Sequence, residues 1–354
     1  MRKSFKRIGI LTSGGDAPGM NAAIRSVTRT AILRNVEVMG IYRGYRGLIE
    51  GDMKLFSVRD VSNIVNHGGT ILFSDRCPEF KTEEGMKKAV DMCINNKIDG
   101  IVAIGGDGTF RGATDLTCRG VPCIGIPATI DNDITSTDYS IGFDTAMNTV
   151  VEMVDRLRDT CESHARCSVV EVMGRNAGDI ALQTGIATGA SAIVIAEFPF
   201  DEDEAIQNMI KSKQTGKRNF IVIVAEGAPN YGEDLAVRIE KRTGIETRFA
   251  RLAHVVRGGP PSLRDRLLAS KMGAAAVDAL LDGNSNLVIC ESGDEIHFMD
   301  IDFALKLDRM YKGNLAEGDL KGYNEDQIRK LKDMCNRKRR SLEKLYTLSK
   351  EISQ

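Results

Sequence analysis

The sequence of 354 residues has no tryptophan, only 5% aromatic residues and only four histidines. None of the histidines is paired at metal-ligand spacing, which argues against a histidine-based metal site. The eight cysteines are spread singly with no CxxC pair, and this pattern favours reduced thiols over a zinc site.

Long apolar runs and an excess of one charge are also lacking. No run reaches the roughly 18 to 20 apolar residues that span a bilayer, and residues 1–7 are mostly basic, unlike a signal-peptide core. The 48 Lys and Arg nearly cancel the 49 Asp and Glu, so no whole-chain field favours nucleic acid or an anionic membrane. We predict a cytoplasmic protein that binds neither.

The 42% hydrophobic residues and 35 glycines are typical of a globular protein, and the length favours two domains. Short Ile- and Val-rich runs alternate with helical stretches, which predicts βαβ units. The predicted strands are residues 8–11, 36–42, 100–104, 123–126, 168–173, 192–195, 220–225 and 287–290. Several runs are apolar on successive residues, as strands buried on both faces are. We therefore predict an α/β fold of two Rossmann-like domains, each a mostly parallel sheet between helix layers.

The segment SGGDAPG (13–19) follows a strand and opens a helix, where backbone N–H groups and the helix dipole favour a phosphate. Its spacing from Gly14 to Gly19 is that of a P-loop. However, Met20 and Asn21 replace the Lys and Ser/Thr that contact phosphate and Mg²⁺, and the GxGxxG pattern fails as well. A tight strand-to-helix turn without a ligand is the alternative.

The segment GGDGT (105–109) adds a carboxylate to a second glycine turn. The glycines let backbone approach a polyphosphate, and Asp107 can hold Mg²⁺ directly or through water. GGDGT recurs in kinases of sugars, NAD and lipids, so it indicates phosphoryl transfer without naming the acceptor. The alternative for Asp107 is an ordinary turn residue.

The loop ATIDND (128–133) holds two carboxylates. Asp131 can face a substrate hydroxyl while Asp133 faces metal or backbone, and phosphoryl transfer to an alcohol needs such a proton acceptor. Capping of an Asx turn is the alternative.

Four arginines lie at or near strand ends and loops, where guanidinium groups could bind a phosphorylated acceptor bidentately. They are Arg166, Arg175, Arg248 and Arg257, with His254 close to the last. A solvated surface position is the alternative for any one of them.

At these motifs the sequence resembles the ATP-dependent 6-phosphofructokinases of bacterial type over about residues 6–315. The segments that carry the resemblance are LTSGGDAPGMNAAIR (11–25), IGGDGT (104–109), IPATIDND (126–133), SVVEVMGRNAGD (168–179), ETR (246–248) and HVVRGG (254–259). The resemblance implies a glycolytic homotetramer that transfers the γ-phosphate of MgATP to the 1-hydroxyl of fructose 6-phosphate.

The resemblance also implies roles for individual residues. Asp131 corresponds to the base, Asp107 to the Mg²⁺ ligand, and Thr129 and Arg175 to transition-state stabilisers. The positions implied for ATP are Gly14, Arg76, Cys77, Gly106, Asp107, Gly108, Thr109 and Gly112. Those implied for fructose 6-phosphate are Thr129, Asp131, Asp133, Arg166, Met173, Gly174, Arg175, Glu226, Arg248, His254 and Arg257. Arg166 and Arg248 would reach a neighbouring subunit's site, so the active sites would be shared.

Three regions are predicted along the chain. Residues 1–141 with 255–305 form a larger ATP-binding domain, and residues 142–254 with 306–320 form a smaller fructose 6-phosphate-binding domain. Residues 321–354 form a basic amphipathic helix, with ten Lys or Arg against five Asp or Glu. We expect it to pack on the body or on a neighbouring subunit, and a tail that binds a partner or nucleic acid is the alternative.

The phosphoryl donor is predicted from two positions. Pyrophosphate-using relatives resemble GGDD at 105–108 and carry lysine at 128, whereas this chain has Gly108 and Ala128. A carboxylate at 108 would repel the α-phosphate of ATP, so we predict ATP as the donor. A pyrophosphate-dependent enzyme, a non-catalytic sugar-phosphate-binding regulatory subunit and an NAD or lipid kinase are the alternatives.

The resemblance also implies an effector site, but this sequence keeps only some of its residues. Arg25, Arg29, Arg158 and Lys217 retain the cations that the family uses for nucleoside diphosphate and phosphoenolpyruvate. Asp52 stands where an arginine is expected, and Ser57 and Ser191 replace acidic residues. Since a carboxylate repels phosphate, we predict weak allosteric regulation.

Overall fold

The computed structural model describes residues 5–352. In chain order the elements are β1 (Arg7–Ser13), α1 (Met20–Leu33), β2 (Glu37–Ile41), α2 (Tyr45–Glu50), β3 (Met53–Phe56), a 3-10 turn (Glu79–Lys81), α3 (Glu83–Asn95), β4 (Gly100–Gly105), α4 (Asp107–Cys118), β5 (Cys123–Pro127), α5 (Phe143–His164), β6 (Cys167–Val172), α6 (Asp179–Ala187), β7 (Ala192–Val194), α7 (Glu202–Gln214), β8 (Phe220–Ala225), α8 (Glu233–Thr243), β9 (Thr247–Arg251), a second 3-10 turn (Ala253–Arg257), α9 (Leu263–Leu281), β10 (Leu287–Ser292), β11 (Glu295–Asp300), α10 (Ile301–Tyr311) and α11 (Glu325–Ile352).

The described residues group into two compact units. Unit 1 contains residues 5–130, 134–144 and 257–335, and unit 2 contains residues 131–133, 145–256 and 336–352. Each unit holds one sheet, and the predicted α/β class with two mostly parallel sheets is confirmed. No helix within residues 5–352 has both the length and the apolar character that a membrane crossing requires.

The sheet of unit 1 has seven strands in the order β11-β10-β5-β4-β1-β2-β3. The edge strands β3 and β11 are antiparallel to their neighbours, and all other pairs are parallel. The chain runs from β1 to β2 on one side and to β4 on the other, so the strand order reverses between β1 and β4. In open α/β sheets a ligand binds beyond the carboxyl ends of the strands at such a point.

The strand register in unit 1 brings three loops to the same edge of the sheet. Ser13 at the end of β1 lies opposite Gly105 at the end of β4, and Gly105 lies opposite Pro127 at the end of β5. Every residue of β4 and β5 is buried, because both faces of the sheet are covered. One face packs against a core that includes Leu48, Phe110 and other residues of α2, α3, α4 and α10, while α1 and α9 contact strands of the sheet and each other.

The sheet of unit 2 has four parallel strands in the order β7-β8-β6-β9. Val172 at the end of β6 lies opposite Ala225 at the end of β8, so the loops that follow these two strands start side by side. Buried residues of α7 and α8 pack with the sheet in one hydrophobic core.

The eight strands predicted from sequence correspond to β1, β2, β4, β5, β6, β7, β8 and β10. The strands β3, β9 and β11 were missed because all three lie at sheet edges, where exposed polar residues interrupt the apolar run. The predicted terminal helix is present as α11. Residues 306–320 group with unit 1, whereas we expected them with the smaller domain, because α10 packs on α4 and on the strands β10 and β11 of the unit 1 sheet.

Candidate functional site

The first glycine turn of unit 1 follows β1 and requires glycine at several positions. Gly14 and Gly19 have φ values of 89° and 109°, in the left-handed region that favours glycine. A Cβ at Gly15 would lie 2.5 Å from the guanidinium of Arg257, which donates a hydrogen bond to the carbonyl of Asp16 at 3.2 Å. No side chain caps α1, so the N–H groups at the start of this helix are available to a ligand. Together with the guanidinium of Arg257, they provide the groups that phosphate binding needs.

The second glycine turn is tied to the first. A Cβ at Gly105 would lie 2.3 Å from the carbonyl oxygen of Ser13, and the hydroxyl of Thr109 donates to that oxygen at 3.0 Å. By contrast, a Cβ at Gly106 or Gly108 would meet nothing within 4 Å. The turn is therefore closely packed on the side of β1 and open at two of the positions predicted to contact ATP.

Asp107 is the first residue of α4, and no side chain caps this helix. Its carboxylate forms an ion pair with Arg111 one turn further on, at 2.7 Å. Within residues 5–352, no three His, Cys, Asp or Glu side chains come together as a metal site. A single carboxylate fits Mg²⁺ that is held together with substrate phosphates, since Mg²⁺ commonly uses one or two carboxylates and phosphate oxygens.

Three other residues predicted to contact ATP lie apart from the strand ends. Arg76 is exposed, and Cys77 is half-buried against the core of the sheet. Gly112 is buried, and a Cβ there would lie 2.7 Å from the ring of Tyr45, which is stacked on Phe80. Packing against the aromatic pair by itself accounts for glycine at 112.

Asp131 belongs to unit 2 and has no exposed surface. Nε of Arg175 lies 3.1 Å from one of its carboxylate oxygens. The next residue, Asn132, adopts a left-handed φ of 50°, and its carbonyl accepts a hydrogen bond from Nζ of Lys338 at 3.2 Å. Thr129, in unit 1, is half-buried, and its carbonyl accepts from the hydroxyl of Ser140 at 2.6 Å.

The loop after β6 holds Arg175 in an unusual conformation. Gly174 and Arg175 have φ values of 144° and 53°. Both backbone N–H groups donate to one carboxylate oxygen of Glu226, at 3.1 and 2.8 Å, and a Cβ at Gly227 would lie 2.2 Å from the carbonyl oxygen of Arg175. Glu226 was predicted as a sugar contact, and what the structure shows is that its carboxylate holds the backbone of Gly174 and Arg175.

A group of acidic residues lies beside the Asp131 loop in unit 2. Burial raises the pKa of Asp179, against the opposing effects of the positive charge of Lys338 and a hydrogen bond with the side chain of Asn132. Burial likewise raises the pKa of Glu197, whose carboxylate accepts from the N–H of Gly178 at 2.8 Å. Asp179 is half-buried beside the loop, whereas Glu197 keeps an exposed surface.

Two of the arginines predicted to bind phosphate meet at one carboxylate. Nε of Arg166 lies 2.7 Å from one oxygen of Glu246, and the guanidinium of Arg248 contacts the other. The hydrogen bond from Arg166 lowers the pKa of Glu246. Of the remaining predicted sugar contacts, His254 is exposed, Met173 is half-buried and Arg257 lies in unit 1.

The predicted effector cations fall in both units. Arg25 and Arg29 lie on α1, while Arg158 and Lys217 belong to unit 2. Arg158 donates to the side chain of Asn219 at 2.9 Å and to the carbonyl of Thr188. Burial and the charge of Arg158 lower the pKa of Lys217.

Sequence reasoning missed five side chains that contact or surround the predicted site. They are Arg111, Asp179, Glu197, Glu246 and Lys338. The (i, i+4) spacing of Asp107 and Arg111 on a predicted helix was a usable signal. The contact of Lys338 with Asn132 joins residues 206 positions apart, so no local pattern could have indicated it.

Residues 7–280 match the family model described as phosphofructokinase. The chain is 52% identical over 313 residues to ATP-dependent 6-phosphofructokinase 1 of Clostridium perfringens, covering 88% of this chain and 98% of that relative. It is 52% identical over 297 residues to ATP-dependent 6-phosphofructokinase of Bacillus pumilus, covering 84% and 93%. A solved structure of phosphofructokinase from Saccharomyces cerevisiae matches with a TM-score of 0.83 and 33% identity, over 92% of this chain and 48% of the yeast chain.

Proposed function

The chain belongs to the phosphofructokinase family, and on that premise we propose that it transfers the γ-phosphoryl group of ATP to the 1-hydroxyl of fructose 6-phosphate. The products would be fructose 1,6-bisphosphate and ADP. The observation that carries this proposal is the buried carboxylate of Asp131, held 3.1 Å from the guanidinium of Arg175. A proton acceptor beside a fixed cation is what phosphoryl transfer to an alcohol requires.

The proposed step uses both side chains. The 1-hydroxyl oxygen attacks the γ-phosphorus, the bond from that phosphorus to the oxygen it shares with the β-phosphate breaks, and Asp131 takes the hydroxyl proton. The guanidinium of Arg175, with Thr129, stabilises charge on the transferring phosphoryl oxygens. The hydrogen bonds from Gly174 and Arg175 to Glu226 hold the backbone from which this cation extends.

Unit 1 supplies the proposed nucleotide contacts. The open positions Gly106 and Gly108 leave room for phosphates beside the start of α4. Asp107 would hold Mg²⁺ together with phosphate oxygens, and Mg²⁺ would neutralise charge on the β- and γ-phosphates. The other proposed ATP contacts are Gly14, Arg76, Cys77, Thr109 and Gly112.

Unit 2 supplies most of the proposed sugar-phosphate contacts. Arg166 and Arg248, oriented by Glu246, would bind the 6-phosphate together with Arg257. The other proposed contacts are Asp133, Met173, Gly174, Glu226 and His254. Following the family resemblance, we propose a homotetramer in which Arg166 and Arg248 serve a neighbouring subunit's site.

The test is an assay of the purified protein with ATP or pyrophosphate, each with fructose 6-phosphate and Mg²⁺. We expect fructose 1,6-bisphosphate only with ATP. Equal or faster turnover with pyrophosphate would contradict the proposed donor. Fructose 6-phosphate binding without turnover from either donor would identify a regulatory subunit instead.

A further inference from the structure

Lys338 connects the C-terminal helix to the loop that carries the proposed base. Its ammonium donates a hydrogen bond at 3.2 Å to the carbonyl of Asn132, the residue directly after Asp131. Both partners belong to unit 2. Asn132 has a left-handed φ of 50°, a conformation that non-glycine residues adopt at a cost and that neighbouring contacts must hold.

The positive charge of Lys338 also acts on the acidic residues beside the Asp131 loop. It opposes the effect of burial on the pKa values of Asp179 and Glu197, and Asp133 adds a further negative charge to the surroundings of Asp179. The side chain of Asn132 is hydrogen-bonded with Asp179, so both the carbonyl and the side chain of this residue contact the same charged cluster. Without the cation, three carboxylates would repel one another beside the Asp131 loop.

The segment of α11 that carries Lys338 is fixed on unit 2 by its own contacts. Leu342 is buried at 7% exposure. Further along, the ring of Tyr346 stacks on Phe198 with centroids 4.4 Å apart, and its hydroxyl donates to the carbonyl of Pro199 at 3.1 Å. A lysine on an anchored helix holds its partner more firmly than one on a mobile tail, because less conformational entropy is lost.

We infer that Lys338 is a positioning residue for the proposed phosphoryl transfer: it holds the backbone at Asn132 and thereby the carboxylate of Asp131 against Arg175. This inference rests on the proposed function. The alignment with the Clostridium perfringens enzyme covers 98% of that relative but 88% of this chain, and the motif resemblance ends near residue 315, before α11. Lys338 therefore lies beyond the motifs that carry the resemblance.

The experiment compares Lys338→Met with Lys338→Arg, using Lys344→Met as the matched control on an exposed part of the same helix. In the full-length protein we expect Lys338→Met to lower kcat by about 10- to 100-fold, since small displacements of a catalytic group cost that much. KM for fructose 6-phosphate and for ATP should stay within about twofold, because no substrate contact is removed. Lys338→Arg should recover most of the activity, and Lys344→Met should match the wild type.

A double variant separates positioning from general stability. If Lys338 acts through Asp131, Lys338→Met should lower the residual activity of Asp131→Asn by less than about twofold. The inference would be overturned if Lys338→Met lowered the activity of Asp131→Asn as much as it lowers that of the wild type, or if Lys338→Met alone kept the wild-type kcat. In either case an active wild-type enzyme would leave the proposed function standing. An inactive wild type would overturn both. If Lys338→Met does not fold, Lys338→Gln, which keeps a hydrogen-bond donor but lacks the charge, replaces it in both experiments. A lowered kcat that disappears in the Asp131→Asn background would support the inference, and a wild-type kcat would overturn it.

Discussion

The guanidinium Nε of Arg175 lies 3.1 Å from a carboxylate oxygen of Asp131, a residue with no exposed surface. The arginine approaches this carboxylate from a backbone held at a left-handed φ of 53°. A buried charge is costly unless it is paired, so removal of Arg175 should destabilise both the loop and the ionised form of the group we propose as the base. Variants of Asp131 or Arg175 should therefore be measured for both stability and catalytic activity.

Asp131→Asn should lower kcat by about 10²- to 10⁴-fold, because the amide has nearly the same shape but cannot accept the hydroxyl proton. KM for fructose 6-phosphate should change little. The measurement is steady-state kinetics with ATP, beside Asp91→Asn on an exposed position of α3 as the control. A loss of less than tenfold would remove Asp131 from the role of base.

Glu226→Ala should lower both kcat and stability, because the N–H groups of Gly174 and Arg175 lose their shared acceptor. We expect a loss of about 1–3 kcal/mol in the free energy of unfolding. Glu226→Gln keeps a carbonyl oxygen and should lose less of both. Denaturant unfolding and kinetics of the two variants would check this, and a change confined to KM for fructose 6-phosphate would make Glu226 a sugar contact only.

Gly108→Asp should raise KM for ATP by tenfold or more, because a carboxylate would face the proposed position of the nucleotide phosphates. Gly108→Ala is the matched control: a Cβ at 108 meets nothing within 4 Å, so the methyl group fits without displacing a neighbour. The thermal unfolding midpoints of both variants should stay close to the wild type. Equal KM values for ATP in the two variants would show that the phosphates lie elsewhere.

The sequence predicted the central strands and the motif loops because their signals are local. A buried parallel strand such as β4 is apolar throughout, and a glycine turn after it is visible within a few residues. The edge strand β9 was missed because the exposed Arg248 and Arg251 leave only Phe249 and Ala250 as an apolar run. Its partner β6 lies about 80 positions earlier in the chain and gives no local sign of pairing.

For the candidate site as well, the sequence predicted local motifs but not contacts between distant parts of the chain. The motif around Asp131 marked the carboxylate, but not the approach of Arg175, which depends on where two separate loops fold in unit 2. Glu246 belongs to the ETR motif (246–248), yet only the structure shows that it lies between Arg166 and Arg248. Lys338 contacts Asn132 across 206 positions, and a run of basic residues on a helix is usually a solvated face.

The ion pair of Asp52 is relevant to the predicted weak regulation. Where the resemblance implies an effector-binding arginine, Asp52 forms an ion pair with Arg43 at 2.8 Å. Arg43 also contacts Glu50 at 2.8 Å, and its hydrogen bonds with both acids raise the pKa of the arginine. Arg43 is therefore already shared between two carboxylates, which leaves it less able to attract a phosphate.

We therefore predict that millimolar ADP or phosphoenolpyruvate will shift the half-saturating fructose 6-phosphate concentration of the wild type by less than about fivefold. Loss of an arginine contact and addition of a repulsive carboxylate would each cost on the order of 1 kcal/mol at this partly exposed position, where solvent screens charges. Together they amount to roughly tenfold or more in effector affinity. Asp52→Asn removes only the repulsion, whereas Asp52→Arg also restores a cation, so the response to effector should increase in that order. Saturation curves at several effector concentrations give the measurement, and a shift beyond about fivefold in the wild type would show that Arg25, Arg29, Arg158 and Lys217 bind effector well enough despite Asp52.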